Sequence, residues 1–134
     1  MQPVGQELIA MPPIKVVDAS ALGALVFGEP EAEKISAAMS NSALVAPLLL
    51  WFELSSICLK KIKKHPDQKD SLIDAFHLAQ VLPIEMAAVD YLEAIRLADE
   101  MQITTYDASY LWVSRQLDGE LLTLDRKLLA AAKR

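Results

Sequence analysis

Ile14-Lys15-Val16-Val17-Asp18-Ala19-Ser20 is a β-branched run that ends abruptly on a carboxylate and two small residues. Such a run, followed by a helix-like segment, reads as a buried parallel strand feeding a helix. In open α/β sheets ligands bind beyond the carboxyl ends of the strands, which puts Asp18 where a site would form. The same residue meets the requirements of an N-cap for a helix starting near Ala19. One acid cannot decide between these roles, and the remainder of the chain must.

With 134 residues, 53% of them hydrophobic and 23% charged, the chain can bury a real core without a metal or disulfide staple. That balance excludes a disordered chain and suits a sheet covered on both faces. The single cysteine, Cys58, falls in an apolar helical pattern and reads as a small core residue. It has no internal partner for a disulfide, so a reducing cytoplasm is the expected compartment. No apolar run reaches membrane-spanning length, and residues 1–13 lack the pattern of a signal peptide. Those residues, with Pro3, Gly5, Pro12 and Pro13, read as a loose lead-in in which Met11 could be the natural start; residues 14–134 form one domain. A net charge of −5 argues against general polyanion binding, which depends on Lys and Arg neutralising phosphates.

Outward from Asp18, Ser20 to Phe27 reads as a short helix, and Gly28-Glu29-Pro30 starts a second with Pro30 in its first turn. Ala43 to Ala46 is a candidate strand closed by Pro47. Leu48 to Lys64 is a long helix, apolar nearly all round in its first half and therefore read as buried. Asp67 to Gln80 is helical, Ile84 to Met86 a candidate strand, and Val89 to Met101 a helix with Tyr91, Ile95 and Ala98 on one face. Asp107 to Leu117 reads as a buried helix, Leu121 to Leu124 as a strand, and Arg126 to Arg134 as a helix with Leu128, Leu129 and Ala132 inward. Strands alternating with helices predict a parallel sheet of four to five short strands between two helical layers.

Three further acids stand out. Glu53 lies between Phe52 and Leu54 in the most apolar helical stretch, although glutamate is almost never fully buried unless paired. Asp107 opens an apolar helix after Thr104, Thr105 and Tyr106, and Asp125 ends Leu121-Leu122-Thr123-Leu124. Helix capping would account for Asp107 and Asp125, and a solvent-facing or lysine-paired position for Glu53. A single convergent site accounts for all four together. Two unit charges about 4 Å apart repel by about 4 kcal/mol at an effective dielectric near 20, and a divalent cation relieves that cost. Oxygen-only ligands suit Mg²⁺ or Mn²⁺ and disfavour zinc, and such ions take further ligands from substrate phosphates.

Four segments carry a family resemblance. Val16-Val17-Asp18-Ala19-Ser20, Trp51-Phe52-Glu53-Leu54, Tyr106-Asp107-Ala108-Ser109-Tyr110-Leu111 and Leu121-Leu122-Thr123-Leu124-Asp125-Arg126-Lys127-Leu128 occur in that order. Together they resemble PIN-domain ribonucleases, and among them the VapC toxins of toxin–antitoxin pairs, over nearly all of residues 14–134. The resemblance implies a PIN-like three-layer α/β/α fold and Mg²⁺-dependent cleavage of RNA. Asp18, Glu53, Asp107 and Asp125 would be the catalytic, metal-binding acids, supported by Ser20 and Thr123. A homodimer and a VapB-like antitoxin are implied as well. Arg126, Lys127 and the Lys60 to Lys64 run are candidate phosphate contacts, although a charge run is more often a solvated helix face.

His65 and His77 belong to no cluster with metal-ligand spacing and read as structural. Trp51, Phe52, Tyr106, Tyr110 and Trp112 read as core residues in preference to base-stacking platforms. No Gly-x-Gly-x-x-Gly or Walker loop is present to cradle a nucleotide. A receiver-like phosphoacceptor domain and a catalytically silent PIN-fold interaction module are the alternative readings.

Overall fold

The computed structural model describes residues 11–134, and most of the expected lead-in lies outside them; Met11, Pro12 and Pro13 are exposed and without regular structure. Four strands, β1 (Ile14–Val17), β2 (Ala43–Pro47), β3 (Ile84–Ala87) and β4 (Glu120–Leu122), form one sheet in the order β3-β2-β1-β4. Every pairing is parallel: Val16 stands beside Val45 on one side and Leu121 on the other. Among the described residues seven α-helices flank it: α1 (Ala19–Val26), α2 (Ala32–Met39), α3 (Leu49–Lys64), α4 (Lys69–Ala79), α5 (Tyr91–Met101), α6 (Thr105–Gln116) and α7 (Arg126–Ala132).

Strand alternation divides the core. Val16, Val45 and Leu121 point to a layer built from Leu97, Ala98 and Met101 of α5, Tyr110, Leu111 and Val113 of α6, and Leu128 of α7. Val17, Leu44, Ala46 and Leu122 point to the opposite layer, where Leu22, Ile35, Leu50, Leu54 and Ala79 belong to α1 through α4. Both faces are therefore covered, which is why β1 and β2 carry almost no polar residue. The chain winds from β1 to β2 and β3, then returns to place β4 on the other side of β1. That reversal opens a crevice at the carboxyl ends of β1 and β4, next to Asp18 and Asp125.

Gly119 enters β4 where the backbone passes against β1: a Cβ there would lie 2.9 Å from Ile14 Cγ2 and 3.0 Å from Ile14 O. Gly119→Ala is accordingly expected to lower stability by about 1–3 kcal/mol, read from chemical denaturation. An unchanged midpoint would mean that Ile14 gives way freely.

Several expectations need correction. Pro30 sits in the turn before α2, with Gly28 at φ +67, and the helix starts only at Ala32. The segment after His65 begins with a 3-10 turn, Pro66–Gln68, before α4. Tyr91 and Ile95 are exposed, and α5 buries Ala94, Leu97, Ala98 and Met101 instead, a stripe displaced around the helix. In α7 the inward residues are Leu128 and Ala131; Leu129 is exposed and Ala132 only partly buried. The first half of α3 is not buried all round. It buries Leu50 and Leu54, whereas Phe52 is 78% exposed, because one side of the helix forms the wall of the crevice, and Leu48, at its N-cap, is 71% exposed beside a separate apolar groove.

Candidate active site

Asp18, Glu53, Asp107 and Asp125 come from four separate segments and line one cleft of about 410 Å³ at the carboxyl edge of the sheet. Ser20, Ser56, Lys60, Phe52, Tyr106 and Tyr110 complete much of its wall. Capping and convergence are not exclusive. Asp18 caps α1, with Oδ1 accepting from the Ala21 N–H at 2.9 Å, and Asp125 caps α7, accepting from the Leu128 N–H at 2.9 Å. Asp107 is not a cap; Thr104 is, and its Oγ1 accepts from the Asp107 N–H at 3.0 Å. The Asp107 carboxylate, one turn into α6, is thus released to the cleft.

Asp18 is the most buried of the four, at 5% exposure, and two hydroxyls fix it. Ser20 Oγ donates to Oδ1 at 2.7 Å, and Thr123 Oγ1 donates to Oδ2 at 2.5 Å. Each hydroxyl accepts in turn from the β4–α7 backbone: Ser20 Oγ from the Leu124 N–H at 2.9 Å, Thr123 Oγ1 from the Asp125 N–H at 3.0 Å. With their acceptor side occupied by backbone donors, both hydroxyls direct their protons at the carboxylate. The relay ties the end of β1 to the end of β4 across the crevice. It saturates Oδ1 and leaves Oδ2 a free lone pair. Thr123→Val keeps the shape but removes a bond to a charged group and orphans the Asp125 N–H. A loss of about 1.5–3 kcal/mol is expected in urea denaturation, and a shift of only a few tenths would contradict the relay.

Glu53 is half-buried and held by Tyr110, whose hydroxyl donates to Oε1 at 2.6 Å. Sequence reasoning read Tyr110 as core, which it is at 1% exposure, but missed that its polar end orients an acid 57 residues away. The Tyr110 hydroxyl is itself pushed far up by burial and by the neighbouring Glu53 charge, so it remains a donor.

Burial raises the Asp18 pKa first; the Thr123, Ala21 and Ser20 bonds oppose it, and the Asp125 charge adds to it. Glu53 is raised by burial, then by Asp107 and Asp18, against the Tyr110 bond. Asp107 is raised by burial and by Asp125 and Asp18, with Thr104 and the Lys127 charge acting the other way. The four carboxylates therefore feel one another, which scattered caps would not.

The donor set is oxygen-only, the chemistry preferred by Mg²⁺ and Mn²⁺. Among the described residues no three acidic, histidine or cysteine side chains are gathered tightly enough to enclose an ion on their own. That fits a cation taking one or two carboxylates directly and its other ligands from water and phosphate, as Mg²⁺ commonly does, and does not fit a closed structural site.

The basic residues separate. Lys60 lines the cleft, whereas Lys61 pairs with Glu29 and lies over the Phe27 ring, 5.8 Å from its centroid. Neither Arg126 nor Lys127 lines the cleft, but Lys127 is near enough to lower the Asp107 pKa. Phe52 and Tyr106 correct the expectation of core aromatics: 78% and 60% exposed, they stand at the cleft, because the helical faces carrying them turn away from the sheet. Cys58 is buried as expected.

A crevice at the strand-order reversal, lined by acids at the ends of β1 and β4 and on α3 and α6, defines the class. The PIN-domain family pattern matches residues 15–134, and the chain belongs to that family. It is 30% identical over 118 residues to Ribonuclease VapC3 of Pyrobaculum aerophilum, covering 84% of this chain and 90% of that protein. The fold is similar to the crystal structure of PAE2754 from Pyrobaculum aerophilum, with a TM-score of 0.72, 27% identity, and coverage of 92% of this chain and 89% of that one. Among the described residues no helix is long and apolar enough to cross a membrane.

Proposed function

We propose that the chain is a VapC-type endoribonuclease, dependent on Mg²⁺ or Mn²⁺, that acts as the toxin of a pair with a VapB-like antitoxin. The observation that carries this is the meeting of four carboxylates from four segments in one cleft, three of them with pKa values raised partly by each other's charge. The likeness to Ribonuclease VapC3 over most of both chains supports RNA as the substrate and an antitoxin as the partner.

One or two of Asp18, Asp107 and Asp125 would hold the cation directly and the rest through its waters, with Asp18 kept in place by Ser20 and Thr123. When bound, a divalent ion lowers the pKa of a water and offsets charge on phosphoryl oxygens. Glu53, oriented by Tyr110 and with its pKa raised by burial, is suited to take the proton of the attacking water. The water oxygen bonds to phosphorus as the bond to the leaving ribose oxygen breaks. Lys60 in the lining and Lys127 beside Asp107 supply positive charge near the acids; Arg126, which neither lines the cleft nor acts on Asp107, is a weaker candidate.

The receiver-like reading is disfavoured because Asp18 is a lone acid after β1 and three hydrogen bonds already engage its carboxylate. The family likeness also supports a homodimer, for which exposed Leu48, Tyr91 and Ile95 around an apolar groove offer a surface. Incubating the purified chain with total cellular RNA, with Mg²⁺, with Mn²⁺ or with chelator, tests the central reading. Discrete fragments that vanish with chelator are expected, and intact RNA under every condition would refute it.

A further inference from the structure

Phe52 immediately precedes Glu53 on α3, and Tyr106 immediately precedes Asp107 on α6. Neighbours on a helix are separated by about 100°, so in each case the ring is held beside a carboxylate that faces the cleft. Both rings line the same cleft as the four acids and are 78% and 60% exposed, on two different helices, with Tyr106 standing where the cleft meets the apolar groove beside Leu48 and Tyr91. Among the described residues neither ring is paired with another aromatic: the close aromatic pair is Trp51 with Phe76, in the α3–α4 contact. Large apolar surface left in water at an acidic cleft calls for a ligand with flat apolar faces.

Charge narrows the choice. With a net charge of −5, and with Lys60 in the lining and Lys127 beside Asp107 set against four carboxylates, the cleft has little with which to hold a polyanion by its phosphates alone. Stacking of bases on aromatic rings supplies affinity that does not depend on neutralising phosphates, and every base has a face to offer. Bases inside a duplex are already stacked on each other and present only their edges.

Given the ribonuclease reading, we propose that Phe52 and Tyr106 are the base-stacking residues of the cleft, holding unpaired nucleotides of the RNA beside the acids. The rings determine which RNA enters, and the acids do the chemistry.

The test uses Asp107→Asn as a cleavage-deficient parent and a random-sequence pool of short single-stranded RNA, followed by fluorescence anisotropy. Adding Phe52→Ala or Tyr106→Ala is expected to weaken binding about tenfold each, and both together about a hundredfold. Tyr106→Phe, which keeps the ring, should bind as the parent does. The slope of affinity against salt should not change, since no phosphate contact is removed. Both rings are exposed, so the variants are expected to melt as the parent does. Undiminished binding in the double variant overturns the proposal while leaving the ribonuclease reading intact. If that variant also turns a self-associated chain into monomers in sedimentation, the rings belong to a contact between protein chains. A wild type that neither binds nor cleaves RNA removes the ribonuclease reading itself, and the proposal with it.

Discussion

Asp107→Asn is expected to reduce RNA cleavage at least about a hundredfold while leaving the fold intact or slightly more stable. The two effects separate because the contribution of Asp107 to the architecture is confined to the first turn of α6. The first turn of α6 is capped by Thr104, through the Asp107 backbone N–H, and that bond survives the substitution. The carboxylate is partly buried and repelled by Asp125 and Asp18, and the Thr104 bond and the Lys127 charge offset this only in part, since its pKa remains raised. Neutralising it removes that repulsion and, on the proposed reading, takes away an oxygen ligand together with its charge. Cleavage of a common RNA substrate and the thermal midpoint, measured on one preparation, decide the matter. A wild-type rate would remove Asp107 from the site, and a collapsed midpoint would give it a structural role. Asp18→Asn is a less clean experiment, because Asp18 also caps α1 and receives the two hydroxyls that join β1 to β4.

How much of this site can be read from sequence depends on the range of the interaction that creates each feature. Asp18 and Asp125 are conspicuous because a carboxylate terminating a β-branched or leucine-rich run is anomalous at its own position. Glu53 and Asp107 are conspicuous for the same reason within apolar helices. What the sequence cannot disclose is the pairing of distant segments. Thr123 reaches Asp18 across 105 residues and Tyr110 reaches Glu53 across 57, and both contacts exist only because the chain order reverses at β1. The exposed rings were hidden for a different reason. An apolar helix covered on one side and an apolar helix covered on both have similar composition, so Phe52 and Tyr106 were indistinguishable from core until the sheet showed which side of α3 and α6 it occupies. Tyr91 and Ile95 misled in the same way, being apolar at helical spacing on a face that nothing in the fold covers.

The second large effect is on stability, and its sign follows from the direction of the pKa shifts. In Asp18, Glu53 and Asp107 the folded protein holds protons more tightly than the unfolded chain does. Below the ordinary carboxylate range both states are protonated and the shifts contribute nothing. As pH rises through the ordinary value toward the raised one, the unfolded chain ionises first and stability falls; above the raised values the full penalty persists. At neutral pH the cleft therefore costs the cation-free protein stability, and a divalent ion bound only to the folded state offsets that cost. At a hundredfold excess over its Kd, Mn²⁺ is expected to stabilise the wild type by about 2.7 kcal/mol near neutral pH. The gain should shrink as pH falls through the raised pKa values, because protons then compete for the same oxygens. Asp107→Asn should show both a smaller loss of stability on raising the pH and a smaller gain from Mn²⁺, since one change removes the repulsion and the ligand together. Denaturation midpoints on a grid of pH and Mn²⁺ concentration measure both quantities. A wild-type midpoint indifferent to Mn²⁺ at neutral pH would leave the acids repelling one another without a cation to join them, and the metal-dependent mechanism would have to be abandoned even if RNA is still cut.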